Sequence, residues 1–121
     1  MSDTQKNLYK KIYGRAGERL AAKYLKRQGC KILKKNFAVK AGEIDIVALD
    51  GETLVFVEVK SRQSDSFGEP AEAVDAKKRK KYGLVARAYL QRSGDEDREC
   101  RFDVIEVKDG RVNHIKNAFF I

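Results

Sequence analysis

Apolar residues recur with helical spacing in two long, highly charged segments of this chain. From about Asn7 to Gln28 they return every three or four positions, and Gly29 suits the C-terminal cap of that helix. A second apolar stripe predicts a helix that begins at Ala71 or Asp75 and ends near Gln91. Each helix is therefore expected to place one apolar face against a core.

Between and after these helices, the apolar residues form short continuous runs that are typical of strands. The predicted strands are Cys30–Phe37, Gly42–Leu49, Thr53–Ser61 and Arg101–Val107, then an extended segment Arg111–Ile115 and an apolar tail Ala118–Ile121. The dipeptides Asp50-Gly51 and Asp109-Gly110 predict tight hairpin turns, and residues 94–99 predict a surface loop. The order of these elements predicts an α/β fold with a central mixed β-sheet of about five strands flanked by helices.

The size and composition fit a single domain. A chain of 121 residues with 42% apolar and 36% charged residues can bury one core under a charged surface. We expect one domain over residues 1–121, with residues 1–10 as a flexible start. No apolar run is long enough to span a bilayer, and the N-terminus has no apolar signal core, which predicts a cytoplasmic protein without a membrane partner.

The chain has few residues that bind soft metals. It contains two cysteines, Cys30 and Cys100, and a single histidine, His114. A structural zinc site needs about four such ligands, so zinc is excluded, and a reducing cytoplasm favours two free thiols. We expect His114 to be a half-exposed strand residue, and Asp103 to be an inward-facing acid that either ties the sheet by hydrogen bonds or serves chemistry.

Charged residues interrupt the two most apolar strands, at Asp45 in the first and at Glu58 and Lys60 in the second. Charges are rare in buried strands, so their presence indicates a site. Alternation of side chains places Glu58 and Lys60 on one face of their strand. On the preceding strand, Asp45 shares a face with Glu43, and the three residues expected on the opposite face are Ile44, Ile46 and Ala48.

The register of the hairpin decides whether these charges meet. If Asp50-Gly51 is a two-residue turn, Asp45 lies diagonal to Glu58, and Glu43 lies directly opposite Glu58. Diagonal neighbours are about 7–8 Å apart at the backbone and closer at the side-chain tips. Two carboxylates at this distance can share one cation.

Clustered carboxylates repel one another, and a hard divalent cation such as Mg²⁺ removes that cost. Such a cation can activate water and offset the charge on a phosphate, while Lys60 could hold the attacking water or stabilise the transition state. This combination suits metal-dependent cleavage of a phosphodiester. The alternative is that Glu58 and Lys60 form a solvated ion pair on an edge strand.

Several segments also carry a resemblance to a known family. The segments Gly42-Glu43-Ile44-Asp45 and Phe56–Arg62, together with Glu18, resemble the motifs of the PD-(D/E)XK nuclease superfamily. The chain is closer still to the YraN-like family of uncharacterised bacterial proteins, which is related to archaeal Holliday junction resolvases. The resemblance runs from about Gly14 onward and extends to Phe67-Gly68, Lys77, Arg101-Phe102-Asp103 and Asn117-Ala118-Phe119. Ile44 stands where the superfamily motif often has proline.

The resemblance implies a restriction-endonuclease-like fold and a role for each matching residue. Asp45 and Glu58 would bind Mg²⁺ or Mn²⁺, Lys60 would assist the attacking water, and Glu18 would complete the metal site. From the residues alone, the position of Glu18 is open, because it could face the sheet or pair on the surface with Arg15 or Lys23. Related resolvases cut two strands as dimers, so a homodimer is a further expectation.

The charge of the chain favours a polyanionic partner. A net charge of +8 and a pI near 9.5 favour nucleic acid or an anionic membrane surface, and the family resemblance implies nucleic acid, DNA in particular. Four residues are expected to contact the backbone of the nucleic acid: Arg62, Lys77, Lys81 and Arg15. Arg62 lies on the same strand face as Lys60, and Lys77 and Lys81 are one helical turn apart. Basic helical residues often form no more than a solvated face, which is the alternative for this group.

These observations lead to one hypothesis and two rivals. The leading hypothesis is a nucleic-acid-binding protein that acts as a Mg²⁺- or Mn²⁺-dependent endonuclease on structured DNA. The first rival is a non-catalytic nucleic-acid-binding module with the same fold. The second is an adaptor whose basic face meets an acidic protein, which would lack the steep salt dependence of nucleic-acid binding.

Overall fold

The computed structural model describes residues 3–62 and 75–120, with side chains described from residue 14 onward. The elements in these ranges are α1 (Asp3–Arg27), β1 (Lys31–Val39), β2 (Gly42–Asp50), β3 (Thr53–Arg62), α2 (Ala76–Ser93), β4 (Cys100–Lys108) and β5 (Arg111–Phe119). The predicted order of helices and strands is confirmed. The fold is α/β, as expected for a restriction-endonuclease-like domain.

The ends of three elements differ from the prediction or refine it. Helix α1 begins at Asp3 and so includes much of the segment that we expected to be flexible, of which residues 1–2 lie outside the described residues. Helix α2 is capped by Asp75, whose Oδ1 accepts the Lys78 N–H at 2.8 Å, while the other predicted start, Ala71, lies outside the described residues. Strand β5 continues to Phe119, so Ala118 and Phe119 of the apolar tail are part of the sheet.

The five strands form one mixed sheet in the order β1-β2-β3-β4-β5. Strands β3 and β4 are parallel, whereas the other neighbours are antiparallel. A parallel pair needs a crossover connection, and α2 lies in the segment that joins β3 to β4. Strand β3 is therefore central, with a strand on each side.

Each face of the sheet is covered by one helix. The core on the α1 side consists of Ala21, Ala22, Leu25, Cys30, Ile46, Ala48, Val55, Val57, Ile105 and Val107. The core on the α2 side consists of Phe37, Ile44, Val47, Leu54, Phe56, Val85 and Ala86. Burying one such large apolar side chain stabilises the fold by about 1.5–3 kcal/mol, so these two layers fix both helices on the sheet.

A close approach between α1 and β3 sets the height of the helix above the sheet. A Cβ atom built on Gly17 would lie 2.0 Å from the Ser61 Oγ and 3.3 Å from the Ser61 Cβ, so any larger residue here would force the serine side chain to move. The next residue along the helix is Glu18, which the contact brings to the same end of β3. The local need for glycine thus positions a candidate site residue.

The register between β2 and β3 differs from the prediction by two residues. Asp50 pairs with Thr53, so the two-residue turn is Gly51-Glu52 and not Asp50-Gly51. Gly51 takes the positive φ, 62°, at the first turn position, as in type II′ hairpins. A shift of two residues keeps the side chains of the paired region on their predicted faces, but Asp45 now lines up with Glu58 itself. The prediction that Glu43 lies directly opposite Glu58 is therefore wrong.

The alternation of side chains in β2 changes at Asp45. Ile46 and Ala48 pack on the α1 side, but Ile44 packs on the α2 side, so the prediction that these three residues share a face is wrong. The paired region of β2 and β3 runs from Asp50 only as far as Ile46, whereas β3 continues to Arg62 along β4. Beyond Ile46, β2 is no longer held by the ladder to β3, and its side chains can turn to the other layer.

A second group of polar residues is buried on the α1 side. Asp103 is fully buried and accepts hydrogen bonds from Arg101 Nε at 3.1 Å, His114 Nε2 at 2.6 Å and the Asn117 backbone N–H at 3.1 Å. The other ring nitrogen of His114 is 3.2 Å from the Tyr24 hydroxyl. His114 as a whole residue is half-buried, in agreement with the expectation, while its side chain is only 5% exposed. Asp103 therefore holds the sheet together by hydrogen bonds, which is one of the two roles predicted for it.

Both cysteines are free thiols, as predicted, with Cys30 buried and Cys100 half-buried. Neither helix in the described part of the chain is long and apolar enough to cross a membrane.

Candidate functional site

The candidate site lies where β2 leaves β3. Asp45 is the first residue of β2 beyond the paired region, and its side chain reaches into the gap between the strands. Its Oδ2 accepts the backbone N–H of Val59 at 2.8 Å. The carboxylate thus takes the place of the missing strand partner, and this contact holds it beside Glu58.

Asp45 and Glu58 interact as a pair of carboxyl groups. Burial, followed by the charge of Glu58, raises the pKa of Asp45 to about 8, although the hydrogen bond from Val59 acts in the opposite direction. A carboxyl group with this pKa holds a proton near neutral pH, because a second negative charge beside Glu58 is costly. A cation at this point would remove the cost.

Lys60 lies beside Glu58 on β3. Its Nζ is 3.3 Å from Glu58 Oε1, and the two side chains are 23% and 15% exposed. Because β3 is the central strand of the sheet, the alternative of a solvated pair on an edge strand is wrong. Both groups are held at the sheet surface but remain within reach of a ligand.

Glu18 approaches the same end of the sheet from α1. Its Oε2 accepts the Asn36 side-chain N–H at 3.0 Å, so it faces β1. Burial raises the pKa of Glu18, and the charges of Glu43 and Glu58 add to that effect. The sequence left open whether Glu18 faces the sheet or the surface, and in the structure Glu18 faces the sheet.

Glu43 stands apart from the Asp45–Glu58 pair. It is exposed at the start of β2 and lines an open cleft between β2 and α2. The cleft is formed by Gly42, Glu43, Lys78, Lys81, Tyr82 and Val85. Its negative charge helps to raise the pKa of Glu18.

Two residues of α2 that sequence reasoning missed lie close to the site. Tyr82 and Glu58 line the same small pocket, and burial followed by the charge of Glu58 raises the pKa of Tyr82. Lys78 lines the cleft beside α2, and interaction with Lys60 lowers the pKa of Lys78. The signal in the sequence was a lysine and a tyrosine four positions apart, but only the packing of α2 on the sheet shows which helical face meets β3.

The four residues expected to contact nucleic acid lie in different settings. Lys81 lines the cleft beside α2, while Lys77 is exposed on the same helix and is not part of the cleft lining. Arg15 is exposed on α1, close enough to Glu18 to lower its pKa. Arg62 forms an ion pair with Glu106, at 2.7 Å from Nε to Oε2. Contact of any of these residues with nucleic acid stays a prediction.

The donor atoms of the site fit a hard divalent cation held by few protein ligands. Asp45 and Glu58 supply carboxylate oxygens, the type of ligand that Mg²⁺ and Mn²⁺ prefer. No three Asp, Glu, His or Cys side chains converge as a ligand cluster within the described residues. Mg²⁺ commonly binds through one or two carboxylates and retains several waters, so the pair suffices, and a third ligand role for Glu18 stays a prediction.

Sequence comparisons place the chain among bacterial relatives. The model of the Uncharacterised protein family UPF0102 matches residues 17–107. The UPF0102 protein of Caldanaerobacter subterraneus subsp. tengcongensis is 47% identical over 121 residues, which cover 94% of this chain and 99% of that protein. The UPF0102 protein of Alkaliphilus oremlandii is 49% identical over 116 residues, covering 91% and 98%.

A third relative, from Clostridioides difficile, is 49% identical over 108 residues, covering 88% of this chain and 95% of that protein. The matched region contains α1 from Gly17, the acids Asp45 and Glu58, Lys60 and α2. The family match and the full-length relatives agree with the YraN-like resemblance seen in the motifs. This chain therefore belongs to the UPF0102 family.

Proposed function

We propose that this protein is a metal-dependent nuclease that hydrolyses phosphodiester bonds in nucleic acid, with structured DNA as its substrate. Asp45 and Glu58 hold Mg²⁺ or Mn²⁺, Lys60 acts on the reacting phosphate and water, and Glu18 is an accessory acid. The nuclease acts either as a monomer or as a homodimer.

One observation carries the proposal. At the point where β2 leaves β3, Asp45 and Glu58 lie together with Lys60, 3.3 Å from Glu58, at the surface of a central strand. Burying carboxyl groups beside one another costs stability, since one of them is forced to hold a proton. A fold retains such an arrangement readily when a bound ligand offsets the cost.

The chemistry of the donors supports phosphodiester cleavage. A divalent cation supplies Lewis acidity, which lowers the pKa of a bound water and offsets charge on a phosphate. The Lys60 ammonium would stabilise the negative charge that develops on the phosphate, in a position fixed by Glu58. Asp45, held by the Val59 N–H, keeps its carboxylate oriented as the substrate binds.

The surroundings of the site support a polyanionic substrate. Lys78 and Lys81 line the cleft next to the acids, and the chain carries a net charge of +8. Nucleic acid bound along this cleft would place its backbone against lysines and its reacting phosphate beside Lys60. Such binding releases counterions and weakens steeply with salt.

The decisive experiment is cleavage of branched, flapped and single-stranded DNA, and of matched RNA, in Mg²⁺ or Mn²⁺. We expect cleavage by the wild type and a loss on the order of 1,000-fold in Asp45→Asn and Lys60→Met, as when a transition-state contact is removed. The matched control is Asp97→Asn, an exposed loop acid whose loss should leave the rate unchanged. Absence of cleavage on every substrate, with no cation binding by calorimetry, would contradict the nuclease proposal.

The second candidate function is a non-catalytic nucleic-acid-binding module. It is favoured by the absence of a three-ligand cluster in the described residues, and by Glu58 already having Lys60 as a partner. In that case DNA binding would be strongly salt-dependent, and Asp45→Asn would leave the affinity unchanged. Divalent cations would also leave the melting temperature of the wild type unchanged.

A further inference from the structure

We propose that Asn36 is a positioning residue of the site and acts in two ways. Its left-handed backbone lets β1 stay paired with β2 where β2 leaves β3, and its side-chain amide holds Glu18 as the accessory acid of the metal site. The role of the amide rests on the proposed nuclease function, whereas the role of the backbone concerns the fold alone.

Asn36 lies across the sheet from Asp45. On one side of it Lys35 pairs with Ile46, and on the other side the pairing continues in the same register. The residue opposite Asn36 is therefore Asp45, the first residue of β2 beyond the ladder to β3. Asn36 thus belongs to the edge strand, beside the point at which the sheet opens.

Strand β1 reverses its faces at this position, together with β2. Ile44 and its partner Phe37 pack on the α2 side, whereas Ile46, two residues along β2, packs on the α1 side. Residues two positions apart share a face in a regular strand, and directly paired residues also share one. Lys35, the partner of Ile46, therefore lies on the opposite face from Phe37. The reversal in β1 falls at Asn36, the residue between them.

The backbone of Asn36 explains how β1 follows the reversal of β2. Its φ is 52°, in the left-handed region, although the residue lies within a strand. A residue with a Cβ atom is disfavoured there, and asparagine is one of the few that tolerate the conformation. One left-handed residue turns the strand about its axis, so the next side chain changes face while the register is kept. Backbone outliers of this kind are concentrated at functional sites.

The side chain of Asn36 reaches the acid on α1. Its Nδ2 donates a hydrogen bond to Glu18 Oε2 at 3.0 Å, between residues 18 positions apart in the chain. Such a donor favours the ionised carboxylate and fixes its orientation, and partners of this kind affect metal affinity by about 10–100-fold. Glycine would suit the left-handed backbone better than asparagine but has no amide. Asparagine meets both needs at one position.

The turn of α1 that carries Glu18 is held from two sides. The preceding residue, Gly17, approaches Ser61 on β3 so closely that a Cβ atom would meet the serine Oγ. Asn36 ties the same turn to β1 on the other side. Glu18 is therefore fixed relative to both the central strand and the edge strand. A carboxylate that is fixed in this way loses less freedom when it binds a cation.

Asn117 offers a matched control for Asn36. It is exposed on β5 with a φ of 50°, so it has the same residue type and the same backbone conformation. Its backbone N–H donates to Asp103, and this group is retained when the side chain is changed. At each position we compare two variants that lack the amide. Glycine suits the left-handed backbone, whereas alanine does not.

We expect Asn36→Gly and Asn36→Ala both to weaken Mn²⁺ binding, measured by calorimetry, by about 10-fold or more. Asn117→Gly and Asn117→Ala should bind Mn²⁺ as the wild type does. Equal Mn²⁺ affinity of Asn36→Gly and Asn117→Gly would overturn the role of the amide.

Thermal unfolding without metal tests the role of the backbone. At both positions, the alanine variant should melt about 3–6 °C below the glycine variant, because only alanine is strained in the left-handed region. Equal melting temperatures of Asn36→Gly and Asn36→Ala would show that the left-handed conformation of Asn36 is not required by the fold.

Glu18→Gln tests whether the amide acts through Glu18. If it does, adding Asn36→Gly to Glu18→Gln should change the Mn²⁺ affinity no further, since the two residues act as one unit. Two losses that add in full would mean that Asn36 affects the metal by another route, and the positioning role would be wrong.

These outcomes separate failure of the inference from failure of the proposed function. If the wild type cleaves DNA and binds Mn²⁺ but the Asn36 variants match their Asn117 controls, only the role of the amide is wrong. If the wild type cleaves nothing and binds no Mn²⁺, the nuclease proposal is wrong and the role of the amide fails with it. The melting temperatures then still decide the role of the backbone.

Discussion

Two acids of this protein, the fully buried Asp103 and the half-buried Asp45, have opposite kinds of surroundings. Asp103 is fully buried and receives hydrogen bonds from Arg101, His114 and the Asn117 backbone. Asp45 receives one backbone N–H, and its nearest charged neighbour is another acid, Glu58. The first is a satisfied structural group, whereas the second lies near a like charge that raises its pKa.

The comparison shows how a structural acid differs from a site acid. The cost of burying Asp103 is offset inside the fold, because Arg101 also reaches Asp50 at 2.9 Å and joins the network to the β2–β3 turn. The cost of burying Asp45 is left for a ligand or a proton to offset. Each prediction below changes one side of this comparison.

The largest effect is expected from Asp103→Asn. The substitution removes the charge that Arg101 and His114 share, and loss of one partner of a buried ion pair costs about 3–5 kcal/mol. Denaturant unfolding followed by circular dichroism measures this loss in the free energy of unfolding. A change below about 1 kcal/mol would mean that the network contributes little to stability.

Asp45→Asn is expected to raise the free energy of unfolding, the opposite of the effect of Asp103→Asn. The folded pKa of Asp45, about 8, is above its ordinary value of 3.8, so the folded state binds more protons between these limits. Wild-type stability should therefore fall as pH rises from about 4 through 8, and the asparagine variant should lose this dependence. At pH 8 we expect the variant to be more stable by about 2 kcal/mol. Urea unfolding at pH 5 and pH 8 measures the difference, and equal slopes would contradict it.

A smaller effect is expected from the divalent cation itself. If Asp45 and Glu58 hold Mg²⁺ with a dissociation constant of about 1 mM, then 10 mM Mg²⁺ stabilises the fold by about 1.4 kcal/mol. Thermal unfolding at pH 8 should show this shift in the wild type and in Asp103→Asn, but not in Asp45→Asn. Calcium at the same concentration controls for ionic strength. An equal shift in all three proteins would locate the cation elsewhere.

The smallest effect is expected from Tyr24→Phe. The hydroxyl contacts His114 at 3.2 Å, and its loss leaves the ring in its edge-on contact with the imidazole. One hydrogen bond contributes about 0.5–1.5 kcal/mol, so unfolding should become easier by about that amount. Nuclease activity should be unchanged, because the network lies outside the site. A loss of activity larger than the loss of stability would show that the network also positions α1 and Glu18.

Much of the fold could be predicted from the sequence because its signals are local. Runs of Val, Ile and Phe marked the strands, and Asp109-Gly110 forms the turn expected of it, with both residues at positive φ. The turn at Asp50-Gly51 was placed one residue early, because an aspartate before glycine fits two turn types and the pairing of whole strands chooses between them. The face of Ile44 was also beyond the sequence, since alternation fails where a strand leaves its neighbour.

The candidate site could be predicted in part, for a similar reason. Asp45, Glu58 and Lys60 were found because charges in apolar runs are conspicuous in the sequence. Lys78 and Tyr82 were missed because a lysine and a tyrosine on a basic helix are ordinary there. The hydrogen bonds of His114 were missed as well, since its partners Asp103 and Tyr24 come from distant parts of the chain.

The sequence by itself determined the elements, their order and three charged residues of the site, because hydrophobic periodicity and turn chemistry act between near neighbours. Only the tertiary structure decided where β2 leaves β3, which face of α2 meets the acids, and which buried aspartate is satisfied. Those outcomes depend on strand register and on helix packing, which are set by the combined burial of many side chains. The same packing places Asp45 near the like charge of Glu58 and surrounds Asp103 with donors.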